Sequence, residues 1–184
     1  MNACDAAHHQ ILHDLYVQAC GDLLSAYGLT VQIQKHPGSI RAHHAASYVS
    51  VLSATGEGIR LSSMFKIDRD LVASLHPLGP DGTSQADLED WCRELNNQLV
   101  GRVKNKLLGY GRIVMVGIPV LLMGTNVNPV GEANSEIREY SVESAQGEIT
   151  LTLSTLLAHD VELWEEQSSP ADDAMMAEGM IALF

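Results

Sequence analysis

The chain has 184 residues, which is enough for one domain of ordinary size with short tails. Hydrophobic residues make up 46% of it and aromatic residues only 5%, so a sizeable core would be mainly aliphatic. The formal net charge of -12 disfavours nucleic acid and anionic membrane surfaces as partners, because both are themselves negatively charged.

The sequence contains no apolar run of the roughly 18 residues that are needed to cross a bilayer. Its first residues do not have the pattern of a signal peptide. The three cysteines, Cys4, Cys20 and Cys92, are odd in number and lack C-x-x-C spacing, which favours reduced thiols. We therefore expect a cytoplasmic protein.

The first half of the chain predicts one helix followed by three strands. Apolar residues at three- and four-residue steps predict an amphipathic helix over residues 6–27, which Gly28 ends. Alternating apolar residues predict a strand over residues 30–35, and residues 46–67 predict a β-hairpin around a glycine-containing turn. Asp68 is the expected N-cap of a short helix.

The second half predicts a long helix followed by more strands. Thr83 or Ser84 is the expected N-cap of this helix, Asp87 supplies an early acid, and Gly109 ends it. The nearly all-apolar segment 113–124 predicts a buried strand region that a proline interrupts.

Residues 137–142 and 148–157 predict two further strands that pair around a short turn. Together these elements predict an α/β protein, α+β in layer terms, with a largely antiparallel sheet of about six strands packed by two long helices. After Trp164 the composition becomes acidic and then apolar. We therefore expect a domain over residues 1–164, followed by a linker and tail over residues 165–184.

One face of the long helix carries polar residues that suit a chemical role. The polar or small residues that recur on it at steps of three or four are Asp90, Glu94, Asn97, Gly101 and Lys104. Asn97 cannot act as a base, but its amide can hold a water in line with a phosphorus atom. Phosphoryl transfer needs mainly such positioning and charge compensation. Because mid-helix glycine costs about 1 kcal/mol relative to alanine, Gly101 indicates the close approach of another backbone.

The segment that runs from Asp90 to Leu107 resembles the phosphatase helix of the CheC/CheX/FliY chemotaxis proteins. The pattern of that family is an acidic residue or serine, then a glutamate, then an asparagine, and a proline further along the chain. Here these positions are Asp90, Glu94, Asn97 and Pro119, with the proline one residue earlier than the pattern places it. The resemblance covers roughly residues 8–160 and implies the pseudo-two-fold architecture of that family.

The resemblance implies a phosphatase that removes the phosphoryl group from the aspartate of a CheY-like response-regulator receiver domain. Glu94 would form a salt bridge with the active-site lysine of the receiver, and Asn97 would orient the attacking water. Asp90 and Gly101 would be further binding positions. Mg²⁺ and the phosphoaspartate would belong to the partner, so this chain would bind no metal itself.

The number of sites also follows from the resemblance, because CheC-type relatives carry a second site on their first helix. The corresponding stretch, residues 14–21, keeps an acid and a glycine but lacks the glutamate and the asparagine. A single site favours the CheX type, whose members are often homodimers.

Other interpretations stay open. The polar stripe could be an ordinary solvated helix face, and the protein could be a non-enzymatic receiver-binding module or a structural component of a flagellar switch. His9 and His13, one helical turn apart, could form a metal pair, although no zinc-ligand spacing accompanies them. The apolar residues 174–184 are either a tether that binds receiver domains or a segment that packs on this domain or on a sheet edge.

Overall fold

The structure is a computed structural model that describes residues 3–36, 47–124, 127–129, 132–159 and 161–164. Residues 165–184 lie outside the described residues, so the predictions for the tail stay predictions. Among the described residues, no helix combines the length and the apolar character that are needed to cross a bilayer. The elements in chain order are α1 (Ala3–Ala26), β1 (Gln32–His36), β2 (Ser47–Gly56), β3 (Ile59–Ile67), α2 (Arg69–Leu75), a 3₁₀ turn (Pro80–Gly82), α3 (Gln85–Leu108), β4 (Val114–Val116), β5 (Val120–Gly124), β6 (Glu136–Ser144) and β7 (Gly147–Leu157).

All seven strands belong to one antiparallel sheet with the order β1-β6-β7-β3-β2-β4, and β5 also pairs with β2. β4 pairs with residues 54–56 and β5 with residues 47–51, so these two short strands together form one edge of the sheet. The predicted α/β architecture, with a largely antiparallel sheet and two long helices, is confirmed. The sheet has seven strands rather than about six because the apolar segment 113–124 divides into two strands at residues 117–119.

The prediction that the segment 113–124 is buried is wrong. Val114 is 1% exposed, but Met115 is 79% and Ile118 88% exposed. The segment lies at the edge of the sheet, where only side chains that point towards the helices are covered. Apolar composition is compatible with both locations, so it could not tell an edge strand from a central one.

The helix boundaries follow the predicted capping residues. The Ser84 hydroxyl accepts a hydrogen bond from the backbone N–H of Asp87, whose carboxylate accepts from the Ser84 N–H, and this capping box begins α3. Gly109 is the C-cap of the same helix. Asp68 occupies the N-cap position of α2, but its side chain does not cap the helix and instead accepts a hydrogen bond from Ser47.

The core lies between the sheet and the two long helices and is mainly aliphatic. Its largest fully buried side chains are Tyr16, Phe65, Leu12, Leu23, Leu24, Leu52, Ile67, Leu88, Leu95, Leu99, Leu107 and Ile149. Cys20 and Cys92 are free thiols within this core, and burial raises the pKa of each to about 12. Both behave as small apolar side chains.

A buried network of polar groups joins both helices to the sheet. The Ser63 hydroxyl on β3 shares a hydrogen bond with Tyr16 of α1 and donates one to Asn96 of α3, each at 2.7 Å. The Asn96 amide donates to the backbone oxygen of Ser50 on β2 at 2.9 Å. Because these groups are buried, every bond of the network that is lost leaves a costly unpaired polar atom.

His9 and His13, the two histidines that could form a metal pair, have structural partners. Nδ1 of His9 lies 2.6 Å from Oγ1 of Thr155, and Nδ1 of His13 lies 2.9 Å from the Tyr140 hydroxyl. Within the part of the chain that the structure describes, no three His, Cys, Asp or Glu side chains are grouped so as to hold a metal ion. Nε2 of His13 is buried there without a hydrogen-bond partner.

Acid should destabilise the fold through His13. Burial, reinforced by the positive charge of Arg138, lowers the pKa of His13 to about 3. Below pH 6.5 the unfolded chain therefore takes up a proton that the folded chain does not, and the free energy of unfolding falls by up to about 1.4 kcal/mol per pH unit. We expect urea denaturation to show this loss between pH 6.5 and 5 and His13→Gln to reduce it.

The wild-type chain, unfolded under the same conditions, is the reference for this variant. If His13→Gln unfolds with the same pH dependence as the wild-type chain, another group is responsible for the acid sensitivity.

Candidate functional site

The orientation of α3 decides which of its residues meet solvent. The buried residues of this helix are Leu88, Cys92, Leu95, Asn96, Leu99, Val100, Val103 and Leu107. Asn96 is 0% exposed and bonded to the sheet, whereas the next residue, Asn97, is exposed. Successive residues of an α-helix are 100° apart around its axis, so the burial of both Leu95 and Asn96 turns Asn97 outwards.

Glu94 is held in place by hydrogen bonds from one turn of its own helix. The Gln98 amide donates to Oε1 of Glu94 at 2.9 Å, and the carbonyl oxygen of the Gln98 side chain accepts from the hydroxyl of Tyr27 at 2.9 Å. The Asn97 amide lies 3.5 Å from Oε2 of Glu94. One carboxylate oxygen thus has a firm partner, while the other lies beside the amide of Asn97.

The chemistry available to this pair is simple. A half-buried carboxylate that is fixed in position can bind a cation supplied by another molecule. An exposed amide can donate and accept hydrogen bonds and so orient a water. Asn97 is exposed and Glu94 is half-buried, so both groups can meet a partner at the protein surface.

Asp90 and Gly101 flank the pair on the same stripe. The Asp90 side chain is 80% exposed and forms an ion pair with Arg93, which partly neutralises its charge. A Cβ atom added at Gly101 would meet no described atom within 4 Å. The expected close approach of a backbone to Gly101 is therefore not made by the described residues of this chain, and the space above Gly101 is open to a partner.

The first helix does not repeat the site. Gly21 follows Asp14 by seven positions, as Gly101 follows Glu94, but the position that would match Asn97 is Val17. Val17 is half-buried and packs against the hydrophobic core. Asp14 does have an amide beside it, because Gln10 donates a hydrogen bond to its Oδ1 at 2.7 Å, but that amide lies four residues before the acid and not three after it as in α3.

Sequence reasoning missed three residues that support the site. The first is Asn96, which follows Cys92 and precedes Val100 at four-residue steps. This spacing places it on the buried stripe of the helix and was a signal that its side chain is buried. The spacing of Glu94 and Gln98 was also a readable signal for a helical side-chain pair. The contact between Tyr27 and Gln98 joins residues 71 positions apart in the chain, and no local pattern could predict it.

The neighbouring asparagines should respond differently to truncation. Asn96→Ala removes the hydrogen bonds that its amide makes with the buried Ser50 oxygen and with the Ser63 hydroxyl, which would keep only Tyr16, and it should lower the free energy of unfolding by about 2–3 kcal/mol. Asn97→Ala removes an exposed amide and should change it by less than about 0.5 kcal/mol. Chemical denaturation of both variants measures the difference. Equal losses would mean that α3 is not oriented as described.

The solved structures that the fold resembles are chemotaxis proteins. A CheC-like protein from Shewanella oneidensis MR-1 aligns with a TM-score of 0.64 at 16% identity, over 77% of this chain and 95% of that protein. CheX from Vibrio vulnificus aligns with a TM-score of 0.66 at 15% identity, over 78% and 95% of the two chains. A CheX–CheY–BeF₃–Mg²⁺ complex from Borrelia burgdorferi aligns with a TM-score of 0.62 at 15% identity, over 78% and 96%.

These similarities define the class of fold: the chain has the architecture of CheC/CheX-like chemotaxis proteins, as the sequence resemblance predicted. The middle domain of FliM from Helicobacter pylori is a more distant structural neighbour, with a TM-score of 0.54 at 10% identity over 85% of this chain and 94% of that domain. No protein-family model and no curated protein sequence matches the chain. The comparisons therefore establish the fold, and any activity has to be inferred from the residues of α3.

Proposed function

We propose that this protein is a phosphatase of a phosphorylated, CheY-like receiver domain. The observation that carries the proposal is the outward-facing pair of Glu94 and Asn97 on α3, within a fold of the CheC/CheX type. The structural neighbour from Borrelia burgdorferi is a CheX in complex with CheY, which supports a receiver domain as the partner.

The proposed mechanism assigns one task to each residue. Asn97 orients a water in line with the phosphorus of the receiver's phosphoaspartate, so that the water oxygen forms the new bond to phosphorus as the bond to the aspartyl oxygen breaks. Glu94 pairs with the lysine of the receiver's active site and so fixes the two surfaces in register. Asp90 and Gly101 contribute contact surface on either side.

Magnesium belongs to the receiver in this proposal. Among the described residues, no three His, Cys, Asp or Glu side chains are grouped so as to hold a metal ion, which supports this assignment. What this chain supplies is positioning of the water and of the partner's cation.

A non-catalytic role is the second candidate, because the fold is also similar to the FliM middle domain and to FliY from Thermotoga maritima. A receiver-binding or flagellar-switch component would bind a receiver stoichiometrically without speeding the loss of its phosphoryl group. Turnover at substoichiometric amounts of this chain therefore separates the two functions.

Assembly as a homodimer is part of the proposal. The two edges of the sheet, formed by β1 and by β4 with β5, provide strands that a second copy could extend about a two-fold axis.

Asn97→Ala should abolish most of the proposed activity. Losing the group that orients the water should reduce the rate of receiver dephosphorylation on the order of 10²-fold, while receiver binding changes little. The measurement is the decay of a phosphorylated receiver domain with limiting amounts of each variant. Asn105→Ala, an exposed asparagine near the end of the same helix, is the control and should act like wild type. Undiminished turnover by Asn97→Ala would exclude the assigned role.

Glu94→Ala should weaken both the binding of the receiver and the rate. Removing the carboxylate deletes the partner of the receiver's lysine, so the dissociation constant should rise several-fold, and added salt should affect the variant less than wild type. Titration calorimetry at two salt concentrations tests this. Glu89→Ala is the matched control, because it removes the same charge from a different face of α3. If both variants bind equally well, Glu94 does not contact the receiver.

A further inference from the structure

A band of exposed apolar side chains runs along the sheet edge formed by β4 and β5. We call this the apolar edge; its members are Ile113, Met115, Ile118, Val120, Leu122 and Met123, between 43% and 88% exposed. Single exposed hydrophobic residues are ordinary, but six within one short segment are not. Four of them lie on β4 and β5, whose outer backbone groups are free of a sheet neighbour among the described residues, and Ile113 and Ile118 flank these strands.

Part of the apolar edge faces away from the helices, whereas Met123 faces α3 and contacts Gln85. Residues directly opposite each other in an antiparallel pair point to the same side of the sheet. Ser50 lies opposite Leu121 and contacts Asn96 of α3, so both residues are on the side of the sheet that faces the helices. The residues on either side of Leu121 in β5 point to the other side of the sheet. Val120 and Leu122 lie opposite Val51 and Val49 and belong to that other side. A segment that covers them would not displace α3.

The last described residues, 161–164, lie near the end of the apolar edge that begins at Ile113. Val161 packs at the turn between β2 and β3, where a Cβ added to Gly58 would lie 2.3 Å from its Cγ2. Arg112, which immediately precedes the apolar edge, donates a hydrogen bond to the backbone oxygen of Glu162 at 2.6 Å. Leu163 and Trp164 then pack against His8 of α1, so the tail leaves the described chain between the start of α1 and the Ile113 end of the edge.

Residues 165–184, which follow Trp164, have a composition that suits a segment binding to such an edge. Residues 165–173 are polar and carry four carboxylates, and residues 174–184 contain nine apolar residues and one charge, Glu178. Nine extended residues reach about 30 Å, which allows the apolar part to begin at any point of the edge. An extended strand rises about 3.3 Å per residue, so eleven residues nearly match the length of segment 113–124.

We propose that residues 174–184 of the same chain bind the apolar edge. A tethered segment acts at an effective concentration in the millimolar range, far above that of a second copy in dilute solution. The edge formed by β1 stays available for a homodimer. The inference rests on the geometry of the edge and not on the proposed phosphatase activity.

Cysteine cross-linking tests the inference without any activity assay. In a Cys4→Ser background, in which Cys20 and Cys92 are buried, we would combine Met180→Cys with Ile118→Cys on the edge. The control pair combines Met180→Cys with Ala145→Cys, an exposed position in the turn between β6 and β7. A short bis-maleimide is added to dilute protein, and mass spectrometry separates bonds within a chain from bonds between chains.

We expect the edge pair to give a several-fold higher yield of bonds within one chain than the control pair. Adding Met176→Ser and Leu183→Ser to the edge pair should remove that excess, because both substitutions weaken apolar contact without shortening the tail. Bonds mainly between chains would show that a second copy occupies the edge and would overturn the proposal. Equal yields from both pairs would overturn it as well. An excess that survives the two serine substitutions would also overturn it, because a free tail that begins near Ile113 favours position 118 by proximity alone.

A second measurement uses the chain without residues 168–184. An uncovered apolar edge should bind more of a hydrophobic dye and show a larger mass in light scattering than the full chain does. Unchanged dye binding and unchanged mass would contradict coverage by the tail.

Discussion

The hydrogen bonds of Asn96 are the constraint on which the geometry of the site depends. They connect α3 to β2 and β3 through groups that have no access to water, and Ser63 extends the connection to Tyr16 on α1. Apolar contacts alone tolerate some rotation of a helix, because the hydrophobic effect is not directional. A buried amide with fixed partners does not tolerate it, since each misaligned bond leaves a desolvated polar atom. The outward direction of Asn97 follows from the burial of Leu95 and Asn96.

The two long helices have different tasks although they pack side by side on one sheet. α3 presents a carboxylate and an amide to solvent, and α1 supports them, because Tyr27 at the end of α1 orients Gln98 and thereby the Glu94 carboxylate. Tyr27 also packs edge-to-face on Trp91, whose indole N–H donates to the backbone oxygen of Leu75. α1 therefore acts as a support for α3. Val17, at the position that matches Asn97, packs against the core and is consistent with this role.

The parts of the fold that the sequence could predict are those encoded locally. Helical periodicity and the box of Ser84 and Asp87 predicted α3 to within a residue or two, and the glycines predicted its end and that of α1. The location of segment 113–124 at an edge depends on which strands pair, a property of the whole chain. The same limit applies to the site: the stripe of Glu94 and Asn97 was legible, whereas the contact of Tyr27 with Gln98 arises only once α1 lies against α3.

The site and the part of the apolar edge formed by Val120 and Leu122 lie on opposite sides of the sheet, and this separates their possible partners. Glu94 and Asn97 are on the outer surface of a helix that covers one face, whereas Val120 and Leu122 belong to the other face. A receiver on α3 and a cover on the edge can therefore be bound at the same time. The two surfaces also differ in character, because one offers a fixed carboxylate and an amide and the other offers only aliphatic and thioether groups. Polar groups on α3 select a partner by charge and hydrogen bonding, and the edge selects only for apolar shape, which the chain's own residues 174–184 can provide.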